Sequence, residues 1–253
     1  MSIRLLAFAC GFLTADRGLF LEGESGSVRI PVPSYLIEHP KGRVLFDTGL
    51  HPELKTDPRA RIGGLARLFV PDFGPNDDIA SRLNALDVDP EGVEFLVNSH
   101  LHFDHTGGNL AIPNARLVIQ RREWEAGQDP DQCAHNTYDP RDYDLGHDRL
   151  LVDGEHDLFA DGSVVCIPTH GHTPGHQSLR VRLDSGDVLL CGDACYMRQS
   201  LEAMQLPPTV HDRQEMLASL ERIAQMEKSG VRLLFGHDPD LWQSLPQAPE
   251  AIQ

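Results

Sequence analysis

Short apolar runs recur along the chain at lengths suited to β-strands. Residues 28–32, 43–46, 93–97, 116–119, 164–167, 188–191 and 231–235 each form such a run, rich in Val, Ile, Leu and Phe. Leu179, Val181 and Leu183 alternate with Arg180 and Arg182, the period-2 pattern of a sheet with one wet face. The apolar stretch 1–13 reads as a first strand. Between these runs the period changes. Ile79, Leu83 and Leu86 share one helical face, with Asn76 or Asp77 as the N-cap. Met216, Leu220 and Ile223 share another, ahead of Gly230, which can end that helix. Strands mixed with helices and hairpin spacings predict an α/β sandwich, not a simple doubly wound sheet. No interdomain linker interrupts 1–253, so a single domain is expected. Two segments, 51–78 and 129–146, are rich in Pro, Gly and Asp and too long to be mere connectors. Long loops on a rigid scaffold are where pockets are finished.

Composition narrows the class of partner. A formal net charge of -16 repels phosphate backbones, so no nucleic-acid partner is expected. The first residues carry one Arg and no A-x-A site, and no run reaches the ~18 apolar residues of a membrane span. The five cysteines are odd in number and contain no C-x-x-C pair, which argues against a disulfide framework or a zinc ribbon. A cytoplasmic protein with free thiols and no membrane contact is expected, as a monomer or homodimer.

The histidines supply the chemistry. His100, His102 and His105, with Asp104, lie within six residues, directly after the run ending at Val97. His172 follows the run ending at Ile167, Asp193 follows Cys191, and His237 follows Phe235. Four runs thus deliver ligand-type side chains just beyond strand ends, where open α/β sheets gather their ligands. In extended chain, residues i and i+2 point the same way, so His100 and His102 can grip one ion. Asp104 and His105 can turn to a second ion, and Gly107 and Gly108 allow a sharp bend behind them. Imidazole plus carboxylate suits Zn²⁺, with Mn²⁺, Fe²⁺ or Co²⁺ as alternatives. The remaining histidines read differently. His39, His51, His135, His147, His156 and His211 are expected in loops, and His170 and His176 as outer or turn residues.

The pattern His-x-His-x-Asp-His at 100–105, followed by His172, Asp193 and His237, resembles the metallo-β-lactamase superfamily. The resemblance runs from Leu-Phe-Asp-Thr-Gly at 45–49 to His237. It implies a four-layer αβ/βα sandwich with metals at one edge between the sheets. By that resemblance His100, His102 and His172 hold the first metal, Asp104, His105 and His237 the second, and Asp193 bridges them. Asp47 would brace the metal loops. Within the superfamily the segments 99–109, 171–178 and 192–196 are most similar to N-acyl homoserine lactonases. In those enzymes a Tyr three residues after the bridging Asp reaches the substrate carbonyl, and Tyr196 occupies that position. Cys195 and Gly192 depart from the lactonase pattern, which has Ser or Ala and an apolar residue there.

The resemblance implies a hydrolase that opens the lactone ring of N-acyl homoserine lactones, as in quorum quenching. Two metals roughly 3.5–4 Å apart can bridge a hydroxide that is nucleophilic at neutral pH. Tyr196 would donate to the oxyanion and Asp104 would carry the proton. Phe103 and the segment 65–70, Phe69 included, are candidates for the acyl channel. No G-x-S-x-G elbow points to a serine nucleophile instead. Rival readings are another lactonase, a thioesterase like hydroxyacylglutathione hydrolase (for which no basic glutathione site is evident), a phosphodiesterase, or a non-catalytic metal-binding protein.

Overall fold

The computed structural model describes residues 2–253 and contains two sheets packed face to face. Met1 lies outside the described residues. In chain order, β1 (Arg4–Asp16), β2 (Ser27–His39), β3 (Gly42–Phe46), β4 (Val70–Asp72), β5 (Phe95–Val97), β6 (Arg116–Gln120) and β7 (Arg149–Val152) build the first sheet. The second contains β8 (His156–Asp157), β9 (Val164–Pro168), β10 (Gln177–Leu183), β11 (Gly186–Leu190) and β12 (Arg232–Leu234). β13 (Ala251–Ile252) then returns to the edge of the first sheet against β1. Strand order is β13-β1-β2-β3-β5-β6-β7 with β4 also on β1, and β12-β11-β10-β9-β8 in the second sheet. β3, β5, β6 and β7 run parallel to one another, as do β11 and β12.

Side-chain alternation sorts the layers. Leu5, Ala7, Val44, Phe46, Val97 and Val118 face the second sheet, meeting Val164, Cys166, Leu179, Val181, Val188 and Leu190 in one core. The intervening Leu6, Phe8, Leu45, Leu96 and Leu117 point outward onto a helix carrying Ile79 and Leu83. On the far side Val165, Ile167, Leu189 and Leu233 pack on Met216, Leu220 and Ile223 of the helix Arg213–Lys228. The order is therefore helix, sheet, sheet, helix. This is the αβ/βα sandwich.

Several local expectations change. The helix Ile79–Asn84 is capped by Asp78, not by Asn76 or Asp77: the Asp78 carboxylate accepts from Ser81 N at 2.9 Å. Asp77 instead accepts from Gly74 N and pairs with Arg82, so its carboxylate is already committed. Gly107 and Gly108 do not sit in the left-handed region. Their need is space: a Cβ at Gly107 would lie 2.3 Å from His51 N, and one at Gly108 would lie 2.6 Å from Thr48 O. The segments 51–78 and 129–146 contain short helices, Pro58–Ile62, Pro130–His135 and Pro140–Tyr143, each started by an Asp cap followed by Pro. Buried Arg61 pairs with buried Asp142 and joins the two segments to each other. Three histidines expected in loops lie in regular elements, His39 at the end of β2, His135 at the end of the helix Pro130–His135 and His156 on β8, whereas His147 is in a loop but buried, with Nε2 on Ile112 O.

Candidate metal centre

Parallel β3, β5 and β6 end on one side of the first sheet, and β9, β11 and β12 end opposite them in the second. The turn after β5 carries His100 and His102, and the one-turn helix Phe103–Thr106 carries Asp104 and His105. His172 follows β9, Asp193 lies in a 3-10 turn after β11, and His237 follows β12. Strand ends thus bring seven side chains from four segments together.

They fall into two triads around Asp193. His100 Nε2, His102 Nδ1 and His172 Nε2 converge at 2.8, 3.1 and 3.3 Å from one another. Asp193 Oδ2 turns to this group, 3.3 Å from His172 Nε2 and 3.8 Å from His100 Nε2. Its other oxygen, Oδ1, turns the opposite way, 3.1 Å from His237 Nε2 and 3.2 Å from His105 Nε2. Asp104 Oδ2 completes that second group at 3.7 Å from His237 and 3.9 Å from His105.

The outer ring nitrogens decide the tautomers. His105 Nδ1 donates to Asp47 Oδ2 at 2.8 Å, His237 Nδ1 to Pro31 O at 2.8 Å, and His102 Nε2 to Asn136 O at 2.9 Å. Each of those bonds leaves the inward nitrogen with a free lone pair, as metal-binding imidazoles require. His100 Nδ1 meets Ser99 Oγ at 2.9 Å, and His172 Nδ1 meets the Tyr196 hydroxyl at 3.2 Å. His105 Nε2 and Asp193 Oδ1 are buried and unpartnered, although such atoms are expensive to leave bare. A nitrogen-only convergence beside orphaned buried atoms fits a pair of divalent cations, one per triad. A network of hydrogen bonds among acceptors does not explain it.

Electrostatics differ between the triads. Burial, with the neighbouring imidazoles His105 and His102, pushes His100 well below its ordinary pKa. Burial and His172 push His102 down to about 3. At His105 burial acts the same way, but Asp193, Asp104 and Asp47 outweigh it and raise the pKa. His237 is likewise raised against burial, chiefly by Asp193. Burial would raise the Asp193 carboxyl, yet His105 and His237 hold it well below the usual range.

Outer contacts hold this arrangement. Asp47, with a φ of 57°, accepts from Ser99 N at 2.7 Å and Ser99 Oγ at 2.8 Å, besides His105. It braces the loop, as its motif implied. His176 is not turned into either triad: its Nε2 accepts from Asp193 N at 3.0 Å and its Nδ1 meets Thr169 Oγ1 at 2.9 Å. Gly192 has a φ of 55°, and a Cβ there would lie 2.8 Å from His176 Nε2, which accounts for glycine at this departure from the lactonase pattern. Cys195 is a packed core thiol touching Met197 O, with burial pushing its pKa well up.

A cavity of about 330 Å³ opens onto both triads through Asp104, His172, Asp193 and His237. Tyr196, Phe103 and Phe69 line it as well. Buried Tyr196 keeps its proton, because burial, then Asp193 and Asp104, raises its pKa well above 10. An aromatic chain runs outward: Phe20 meets Tyr196 edge-on at 5.4 Å, Phe69 lies 6.2 Å from Phe20, and Phe103 lies 6.0 Å from Phe69. Phe20 was not anticipated, since nothing in the turn between β1 and β2 marks it in sequence. His135 and His211, expected as plain loop residues, also line the cavity. The one local signal for His135 was the unusual length of 129–146, and His211 lies outside that segment.

Comparison with known proteins agrees with this geometry. Residues 28–237 match the family described as the metallo-β-lactamase superfamily. The chain is 37% identical over 235 residues to the N-acyl homoserine lactonase AttM of Azorhizobium caulinodans, covering 90% of this chain and 89% of that one. It is 31% identical over 230 residues to the N-acyl homoserine lactonase AiiA of Bacillus thuringiensis subsp. kurstaki, covering 89% and 88%. A solved N-acyl homoserine lactone hydrolase, with the product N-hexanoyl-L-homoserine at its catalytic metal center, superposes with a TM-score of 0.88 at 27% identity, covering 100% of both chains.

Proposed function

The chain belongs to the metallo-β-lactamase superfamily, and from that premise we propose that it is a quorum-quenching hydrolase opening the lactone ring of N-acyl homoserine lactones. The observation that carries this reading is one cavity joining the two triads, the Tyr196 phenol and an aromatic chain of three phenylalanines. That combination suits a substrate with a small ester ring at one end and an acyl tail at the other. The AttM and AiiA lactonases and the product-bound hydrolase support the same substrate class.

His100, His102 and His172 would hold one divalent cation, Asp104, His105 and His237 the other, with Asp193 shared. The mixed imidazole and carboxylate donors favour Zn²⁺. Such a pair supplies Lewis acidity and lowers the pKa of water, so that a nucleophile exists at neutral pH. The protein's own groups do the rest. With His172 Nε2 turned to a cation, its Nδ1 would donate to the Tyr196 oxygen, and the phenol hydrogen would turn from Asp193 to the substrate carbonyl. Tyr196 then donates to the oxyanion as water adds to the carbonyl carbon. The ring C–O bond breaks, and the departing alkoxide takes a proton from Asp104, which received it from the water. Phe20, Phe69 and Phe103 exclude water and receive the acyl tail. Five cysteines without a disulfide support a reducing, cytoplasmic setting. No helix among the described residues is long and apolar enough to cross a membrane.

The test compares hexanoyl homoserine lactone with a thioester of matched acyl length on metal-replete enzyme. Lactone turnover should dominate. Tyr196→Phe should keep the fold and both metals and lose about tenfold, mostly in kcat, less than a lone oxyanion donor costs because the load is shared. Preference for the thioester, or lactone kinetics unchanged in Tyr196→Phe, refutes the assignment.

A further inference from the structure

We propose that Glu123 is a positioning residue that holds all three histidines of the first triad from outside, a role resting on the two-cation reading above. Glu123 is fully buried in the first turn of the helix Arg121–Gln128, about which the metal motifs say nothing. Its carboxylate accepts four hydrogen bonds. Oε1 takes Leu101 N at 3.1 Å and the Tyr138 hydroxyl at 2.6 Å. Oε2 takes Gly175 N at 2.7 Å and Thr173 Oγ1 at 2.9 Å.

Each donor sits beside a ligand of the first triad. Leu101 is the residue between His100 and His102. Thr173 follows His172 and Gly175 closes the same turn, packed so tightly that a Cβ on it would lie 2.3 Å from Glu123 N. Tyr138 belongs to the segment whose Asn136 carbonyl accepts from His102 Nε2, and its ring lies 5.6 Å from the His102 ring. One carboxylate therefore ties three separate segments that meet at the first triad. It touches none of Asp104, His105 and His237.

The arrangement is built for a carboxylate with two acceptor oxygens. Burial alone would push the Glu123 carboxyl up, but four donors, two of them backbone N–H groups that can only donate, converge on its two oxygens and favour the charged form. Glutamine matches the shape but must turn its NH₂ toward Leu101 N or Gly175 N. Either choice sets donor against donor and displaces a ligand segment of the first triad.

The experiment follows metal release from the holoenzyme into a chromophoric chelator, with metal content measured beforehand. His172→Ala and His237→Ala identify which release phase belongs to which triad. Glu123→Gln should weaken retention of the first-triad cation by about 10- to 100-fold, the range for removing a partner behind a ligand, and leave the second phase within twofold. A purely structural role would move both phases together or shift only thermal stability. That result, or unchanged release, overturns the assignment. Thr173→Val removes one donor and leaves the carboxylate in place, so it decides the matter if Glu123→Gln does not fold. A smaller loss confined to the first phase supports the role, and no loss refutes it. A wild type releasing fewer than two equivalents refutes the two-cation reading, and the assignment with it.

Discussion

The two triads are drawn from the same few residues yet differ in character. His100 and His102 precede Asp104 and His105 in one short segment, but burial drives the first pair down in pKa while carboxylates drive His105 up. The difference lies in what stands behind each ring. His100 and His102 rest on a serine hydroxyl and a backbone carbonyl, whereas His105 rests on the Asp47 carboxylate and faces Asp193 and Asp104. A carboxylate behind an imidazole raises its basicity as a donor. His100 and His102 therefore offer neutral nitrogens, steadied by Glu123 through the backbone. The second triad offers charge directly. One cation would be held mainly by geometry and the other by geometry and electrostatics together.

The comparison can be broken most completely at the carboxylate common to both sides. Asp193→Ala removes Oδ2 from the first triad and Oδ1 from the second, so both cations should be weakened. Lactone turnover should fall by more than about 100-fold, beyond the upper range for losing only an outer partner. Retention of one cation at wild-type affinity, by elemental analysis after dialysis, would show that Asp193 serves one side alone. The comparison is sharpened by Asp47→Asn, the counterpart of Glu123→Gln. Asparagine tolerates the left-handed backbone at this position, so the change isolates the carboxylate. The second-triad release phase should weaken by about 10- to 100-fold, with a lesser effect on the first through Ser99. Equal loss at both would erase the distinction. The smallest effect is expected outside both triads. Phe69→Ala should raise KM for long-chain lactones several-fold at nearly constant kcat, since about 40 Å² of lost apolar contact costs about 1 kcal/mol. A fall in kcat with unchanged KM would move Phe69 from the tail channel to the chemistry.

Much of this was legible in the chain. The strands at 43–46, 116–119, 164–167 and 188–191 follow from apolar runs, and the observed elements differ from those runs by a residue or two at the ends. The helix Arg121–Gln128 left no comparable trace, because its buried side is Glu123, Trp124, Ala126 and Gly127, which make no apolar period. The same burial that hides this helix from a pattern search gives Glu123 its place behind the first triad.

The ligand segments were readable because their spacing is a local property. Strand alternation and one helical turn suffice to aim His100, His102, Asp104 and His105, and strand ends bring in His172, Asp193 and His237. What tertiary structure alone decided is everything that supports them. Pro31 and Asn136 act through carbonyl oxygens, Leu101 and Gly175 through N–H groups, and Phe20 through its place in a turn of no special composition. Every residue carries a carbonyl and nearly every residue an N–H, so a backbone partner leaves no mark on the sequence. Only the folded chain determines which of them stands behind an imidazole.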